Sequence, residues 1–399
     1  MPHNGPSQSD YLMMRYAHPF FTTIPPENRQ PIEELNASRM AEFIAQNLGP
    51  IPKPKRTSAM KLAEVIGEAG VQEIEAAGSI SFHATGDTGQ QNGGPADPQE
   101  QVAHEMAKDY RPGHGGENPV FLLHLGDVIY GHSKDLLYRD EYYRPYMKYP
   151  GKIVAIAGNH DGETFPGTDP KPCEAFLKNF CAATATLPSI AVDVRIFRKT
   201  MTQPGVYWLL DAPFLHIVGL YSNIAEGPGF LTGAGGDDSQ KNWLAEALKA
   251  IALERAAGKR KALILAVHHP PFSAGLDHQG SPQMLADIDA ACAAVGLIPD
   301  AVLSGHSHSY QRYTRRWRHG AAHTNVPFLV AGCGGHHAAQ VRPADHATVG
   351  EVTYESSRQG FGYLLVKASA DRLELSLHQV TANGSSLFDG TAVDLHAAA

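Results

Sequence analysis

Short apolar runs alternate with longer amphipathic segments over most of the chain. Ile80–Thr85, Val120–Leu125, Ile153–Ala157, Leu263–Val267, Ala301–Leu303 and Phe328–Ala331 are β-rich and end in glycine-containing turns or other loop signals. They read as strands. Between several of them, Pro98–Tyr110, Lys171–Ala182, Ser239–Ala257 and Ser281–Val295 have helical character. Gly205–Leu210 with Phe214–Leu220, and Gly362–Lys367 with Arg372–Val380, read as hairpins. Strands alternating with helices predict βαβ units, and the added hairpins predict a second sheet. The fold class is therefore mixed α/β (α+β).

Residues 1–77 are patterned differently. After Pro25, Pro26 and Pro31, Ile32–Leu48 is helical in pattern, Ile51–Lys55 breaks it, and Thr57–Ala77 resumes it with weak points at Gly67 and Gly70. This segment reads as a helical N-terminal extension that covers the core or forms a homo-oligomer interface. Residues 78–399 read as the main domain. Thr184–Pro204 has little periodicity and is expected to loop over a site. The first residues carry no apolar h-region, since Arg15 and His18 interrupt the best candidate. Apolar runs such as Ala262–Val267 fall far short of the ~20 residues that span a bilayer. A cytoplasmic protein without a membrane partner is expected.

Composition narrows the chemistry. An apolar fraction of 43% and a charged fraction of 19% exclude global disorder. The 33 Lys+Arg against 41 Asp+Glu give a net charge of −8, which argues against a sequence-independent grip on nucleic acid or an anionic membrane. The four cysteines, Cys173, Cys181, Cys292 and Cys333, form neither a disulfide framework nor a CxxC pattern. Histidine, with 21 copies, is the odd number. Any metal ligands would be imidazole and carboxylate rather than thiolate.

Five patterns each follow a strand-like run: Gly86-Asp87-Thr88-Gly89, Gly126-Asp127-Val128-Ile129-Tyr130, Gly158-Asn159-His160-Asp161, His268-His269-Pro270-Pro271 and Gly305-His306-Ser307-His308. In an α/β sheet, ligands bind outside the carboxyl ends of the strands, so the five loops can meet on one edge. In four of them a glycine precedes the Asp, Asn or first His, which lets the backbone turn sharply. Two carboxylates, an Asn and a Tyr oxygen and three imidazoles exceed the four ligands of a structural zinc. They suit two metals sharing a carboxylate. Two metals about 3.5–4 Å apart can clamp the attacking and leaving oxygens of a phosphoryl transfer.

The five patterns in order resemble the calcineurin-like metallophosphoesterases, and more closely the purple acid phosphatases. Most of that superfamily carries Asp-x-His in the first motif, whereas Gly89 stands two after Asp87. Tyr130 instead stands three after Asp127, as in the purple acid phosphatase GDxxY motif. Gly305–Arg312 looks like that family's GHxHxYER. The resemblance spans about residues 78–394 and implies a four-layer α/β/β/α sandwich with 78–399 as the catalytic domain. It implies that Asp87, Tyr130 and His308 hold ferric iron. Asn159, His268 and His306 would hold a divalent iron, zinc or manganese, with Asp127 bridging. A metal-activated hydroxide would attack the phosphorus of a small phosphate ester. His160 would contact a phosphate oxygen or the leaving group, and His278 falls where plant-type members keep a further histidine.

Other residues carry lesser expectations. Gln311 replaces the family's Glu, which alters support of His308. The HxP spacing selects His268 over His269, which would turn to the opposite side of the strand end. His132, His269 and His337 are candidate substrate contacts, and His336 lies beside His337 near the mouth. His83 and His124 read as core or supporting histidines, Asp161 as a loop-orienting residue, Cys333 as a small buried one. The Tyr138–Tyr146 aromatics read as packing. Alternatives to a phosphomonoesterase are a phosphodiesterase with a zinc or manganese pair, and a non-catalytic metal-dependent scaffold.

Overall fold

The apolar runs sort into two sheets. The computed structural model describes residues 48–89, 98–130, 135–163, 171–194, 197–224, 229–319 and 322–396. All but the last residue of the expected Ile32–Leu48 helix lies outside these, as does His132.

In chain order, β1 (Ala59–Lys61) leads into helices α1 (Leu62–Ile66) and α2 (Glu68–Ala77). Strand and helix then alternate through β2 (Ser79–Thr85), α3 (Pro98–Lys108), β3 (Pro119–His124), α4 (Asp135–Tyr138), β4 (Lys152–Ala155), α5 (Asn159–Gly162) and α6 (Glu174–Phe180). A hairpin of β5 (Trp208–Ala212) and β6 (Leu215–Leu220) precedes α7 (Ser239–Ala256), β7 (Ala262–Val267), α8 (Pro282–Val295) and β8 (Ala301–Ser304). The rest is strand: β9 (Tyr310–His319), β10 (Ala322–Ala331), β11 (Thr348–Val349), β12 (Val352–Arg358), β13 (Phe361–Ser369), β14 (Arg372–Thr381) and β15 (Gly384–Asp394).

Among the described residues, one sheet runs β15-β14-β13-β2-β3-β4 and the other β1-β5-β6-β7-β8-β10-β9-β12-β11. Each is parallel where helices intervene, β2-β3-β4 and β6-β7-β8, and antiparallel in its hairpins. Alternate residues face opposite ways along a strand. In β7, Ile264 and Ala266 face the other sheet, packing with Phe82, Leu123 and Ile156. Leu263, Leu265 and Val267 face outward under Leu244, Leu248 and Ile288 of α7 and α8. On the opposite flank, Leu122 and Ile153 pack under Val102, Met106 and Phe176. The order helix, sheet, sheet, helix is the expected four-layer sandwich. Both faces of β7 are covered, which is why its sequence is continuously apolar.

One local expectation is corrected. The helix expected over Thr57–Ala77 begins as a strand. β1 pairs in parallel with β5, Met60 opposite Leu210, and only Met60 of its three residues is buried. The following helix breaks at Gly67, where φ is +85°. Pairing with a sheet edge here overrides local helix propensity. Within the Thr184–Pro204 segment, Arg198 and Gln203 are tied to β4 and the loop before it. Arg198 donates to the carbonyls of Tyr146, Tyr149 and Gly151 at 3.0, 2.5 and 2.8 Å. Gln203 accepts from Ala155 N and donates to Ala155 O, both at 2.8 Å. β4 is the sheet's edge, and this segment satisfies the backbone groups that an edge leaves unpaired. Among the described residues, no helix is long and apolar enough to cross a membrane.

Candidate metal centre

The five patterns meet at the carboxyl ends of β2, β3, β4, β7 and β8. Three of their chemistry-bearing residues hold left-handed backbone, with φ of +58° at Asp87, +51° at Asp127 and +66° at His306. Such conformations cost of order 1–3 kcal/mol for residues other than glycine and persist where the surroundings impose them. Here the imposition is visible. The Asp87 carboxylate accepts from His306 N at 2.8 Å, and Asp127 Oδ1 accepts from His160 N at 3.0 Å. The glycines keep the approach open. A Cβ on Gly126 would lie 2.5 Å from His268 Nδ1, and one on Gly305 would lie 2.5 Å from Asp87 Oδ2.

The donor atoms form two adjoining groups. In one, Tyr130 OH lies 3.3 Å from Asp87 Oδ1 and 3.1 Å from His308 Nε2, which is 3.4 Å from Asp87 Oδ1. In the other, His268 Nε2 lies 3.2 Å from Asp127 Oδ2 and 3.1 Å from Asn159 Oδ1. Donor atoms of Asp127, His268 and His306 lie within 4.8 Å of one another. His268 Nε2 and Asp87 Oδ1, 4.0 Å apart, join the groups. All seven residues are at most 4% exposed.

This set fits metal cations. Two fully buried carboxylates need compensating charge. Among the described residues, their ion pairs run to His268 and His308, not to Lys or Arg. Burial alone would lower the His268 pKa, but Asp127 and Asp87 outweigh it and push it up to about 10. The pocket thus favours positive charge at that nitrogen. His268 Nδ1 lies 2.8 Å from Leu125 O, which keeps the proton there when Nε2 ligates. Burial, then Asp87 and Asp127, push the Tyr130 phenol well above its ordinary value, so a phenolate there requires a cation. Burial and the surrounding imidazoles hold His306 well below its ordinary range, leaving a neutral nitrogen donor.

The remaining candidates fall as follows. His160 sits with its ring 4.6 Å from that of Tyr130 and its Nδ1 3.0 Å from Glu163 Oε2. The His278 ring is 4.3 Å from that of His306 and 5.4 Å from that of His308. His269 does not turn to the opposite side. Its ring is 4.2 Å from His306, and its Nδ1 is 2.6 Å from Ser222 Oγ. The Ser222 anchor, contributed by the segment after β6, sets that direction. His337 stands against His308, and His336 stacks flat on Tyr130 with centroids 3.5 Å apart.

Gln311 is engaged away from the His308 ring, in line with the altered support expected of a Gln at this position. It binds Ala274 N and the hydroxyls of Ser273, Ser307, Ser309 and Tyr313, tying the loop after β7 to the loop after β8. Asp161 accepts from Gly158 N at 2.9 Å and Val128 N at 3.2 Å, orienting two ligand loops. His83 and His124 are buried with partners of their own, Tyr149 and Asp109 for one and Thr88 for the other. Cys333 is buried.

Sequence reasoning missed Glu163 and Glu141. Glu163 is three residues after His160, a spacing that places side chains on one helical face. Glu141 Oε2 accepts from Tyr130 N at 2.7 Å across an eleven-residue separation that leaves no local signal.

Comparison with known proteins adds the following. The family model for calcineurin-like phosphoesterases matches residues 80–310, more than half of the chain. Among solved structures, GAP50, the anchor in the inner membrane complex of Plasmodium, is similar with a TM-score of 0.51 and 11% identity, over 79% of this chain and 89% of that one. PhoD gives 0.47 and 14%, over 79% and 70%. A dimetal phosphatase from Danio rerio gives 0.43 and 12%, over 79% and 99%. At such identities the likeness is one of fold. No curated protein sequence matches the chain.

Proposed function

The chain belongs to the calcineurin-like phosphoesterase family, and from that membership we propose a binuclear, purple acid phosphatase-like centre that hydrolyses small phosphate esters. In this reading Asp87, Tyr130 and His308 hold a ferric ion, and Asn159, His268 and His306 hold a divalent iron, zinc or manganese. Asp127 serves both. The supporting observation is the convergence of seven buried oxygen and nitrogen donors from separate loops, with two carboxylates and no Lys or Arg among their ion-pair partners in the described residues. Phenolate and carboxylate oxygens suit the harder ion, which favours placing ferric iron beside Tyr130.

Bound ions would supply Lewis acidity toward phosphoryl oxygens and a nucleophilic water at neutral pH. The chain's own residues do the rest. Asp127 is held by His160 N and faces His268, so it is fixed before substrate arrives. The His160 ring, steadied by Glu163, can donate a proton to a leaving-group oxygen at the mouth. His278, against His306 and His308, can hydrogen-bond a phosphate oxygen.

The test is elemental analysis and a visible spectrum of freshly purified protein, with turnover of an aryl phosphate and of the matching diester. Two metals per chain and monoester turnover that falls ~100-fold or more in Asp127→Asn are expected. Undiminished turnover in that variant would overturn the reading. Faster turnover of the diester would move the assignment to a phosphodiesterase.

A further inference from the structure

His308 has two ring nitrogens with different partners. Nε2 faces Tyr130 and Asp87 at 3.1 and 3.4 Å. Nδ1 lies 3.1 Å from both ring nitrogens of His337, whose plane stands at 86° to it. A point equidistant from both nitrogens of a ring standing at 86° lies over that ring's face, so we infer that His337 is a positioning residue for His308, its ring face holding the Nδ1 edge so that Nε2 is presented to the metal beside Tyr130. This rests on the proposed metal centre. A histidine that ligates through Nε2 carries its proton on Nδ1, and that N–H needs an acceptor to hold the ring in place. For His268 the acceptor is a backbone carbonyl, Leu125 O. For His308 it is the face of a second imidazole, an N–H···π contact.

The backbone holds His337 in position. Gly334 N donates to Gly86 O at 2.9 Å, His336 N to Asp87 O at 3.0 Å, and Ala339 N to His308 O at 2.9 Å. The segment is therefore stitched to the Asp87 loop on one side and to the His308 loop on the other. Gly335 makes the approach possible. Its φ is +140°, and a Cβ there would collide with the backbone of Gln99. His336 adds a further fixed point, with Nδ1 2.5 Å from Gly89 O and its ring flat on Tyr130. His337 is thus flanked by residues that cannot drift, although its own side chain reaches solvent.

Donor atoms of His308, His336 and His337 also lie within 4.8 Å of one another, the spacing of a third ion site. Such an ion on His308 Nδ1 would need an imidazolate bridge. The edge-to-face arrangement needs only neutral rings, so it is preferred.

The test is titration of zinc ion alone into metal-stripped, full-length protein, comparing wild type, His337→Ala and His337→Phe. Wild type should take two equivalents. His337→Ala should weaken one of them ~10- to 100-fold and leave the other unchanged. His337→Phe, which keeps a ring face against Nδ1, should recover most of the loss. Because His337 is on the surface, the metal-free melting temperature should match in all three. Unchanged zinc affinity in His337→Ala, or no recovery in His337→Phe, would overturn the inference while leaving the metal centre standing. Three equivalents in wild type and two in His337→Ala would replace it with a third-ion site. No zinc binding by wild type would remove the metal centre itself.

Discussion

A Cβ placed on Gly89 would lie 2.9 Å from Tyr130 Cδ2 and 2.6 Å from Glu141 Oε2. The bare position two after Asp87 and the tyrosine three after Asp127 are therefore a single choice. Where a ligand-bearing side chain would otherwise rise from the first loop, the Tyr130 ring fills the space. Glu141 holds its backbone N–H, and His336 covers its other face. Gly89→Ala should displace the ring and cost about 1–3 kcal/mol, the range for overpacking a filled interior. Gly89→His should lower metal content rather than supply a ligand. Thermal melting and elemental analysis of both variants check this. A Gly89→His protein with full metal content would show that the two positions are independent.

The ligand loops were legible in the sequence because their signals are local. Each follows an apolar strand, and the glycines that permit close approach stand beside Asp87, Asp127, Asn159 and His306. Two sheets followed from the same strands and hairpins, and the four layers from the resemblance to the metallophosphoesterases. What escaped depends on distant partners. The direction of His269 is set by Ser222, 47 residues away. β1 and the Arg198–Gln203 stretch take their conformation from sheet edges, which no periodicity within them records.

Tyr130→Phe separates ligation from folding. In the metal-free protein the phenol donates to Asp87, which also receives His306 N, so losing the hydroxyl should change stability by only about 0.5–1.5 kcal/mol. In iron-loaded protein the same change should remove a visible absorption band and weaken one metal equivalent. A spectrum identical to wild type would refute the iron–phenolate assignment and leave hydrolysis intact.

Asp300 anchors the sandwich at the end of the strands away from the centre. Its carboxylate, 3% exposed at the residue level, receives Arg255 at 2.7 Å, Arg260 at 2.5 and 2.9 Å, and Leu263 N at 2.7 Å. Asp300→Ala leaves two guanidinium groups and a backbone donor without that acceptor. It should destabilise the fold by about 3–5 kcal/mol, the range for breaking a buried ion pair. Metal content per folded chain should not change. Denaturant unfolding reads the first, elemental analysis the second. A loss below ~1 kcal/mol would mean that solvent replaces the carboxylate.

The fold should also weaken in mild acid through His83. This residue is buried between Tyr149 and Asp109, and Nε2 lies 3.0 Å from Asp109 Oδ2. Burial lowers its pKa and outweighs the opposing pull of Asp109, so the native ring stays neutral at a pH where the unfolded chain's ring has taken up a proton. Below about pH 6.5 the unfolded state binds more protons, and stability must fall as pH falls, until the native ring protonates too. The slope is at most about 1.4 kcal/mol per pH unit for one group. His83→Gln keeps a polar side chain at the site but cannot titrate. Urea unfolding of metal-free wild type and His83→Gln at pH 7.5 and 5.5 should therefore show a smaller acid loss in the variant. Equal losses would place the acid sensitivity elsewhere. A larger loss in the variant would mean that the Asp109 pair, rather than burial, governs His83, because a native ring that held its proton more tightly would add stability as pH fell.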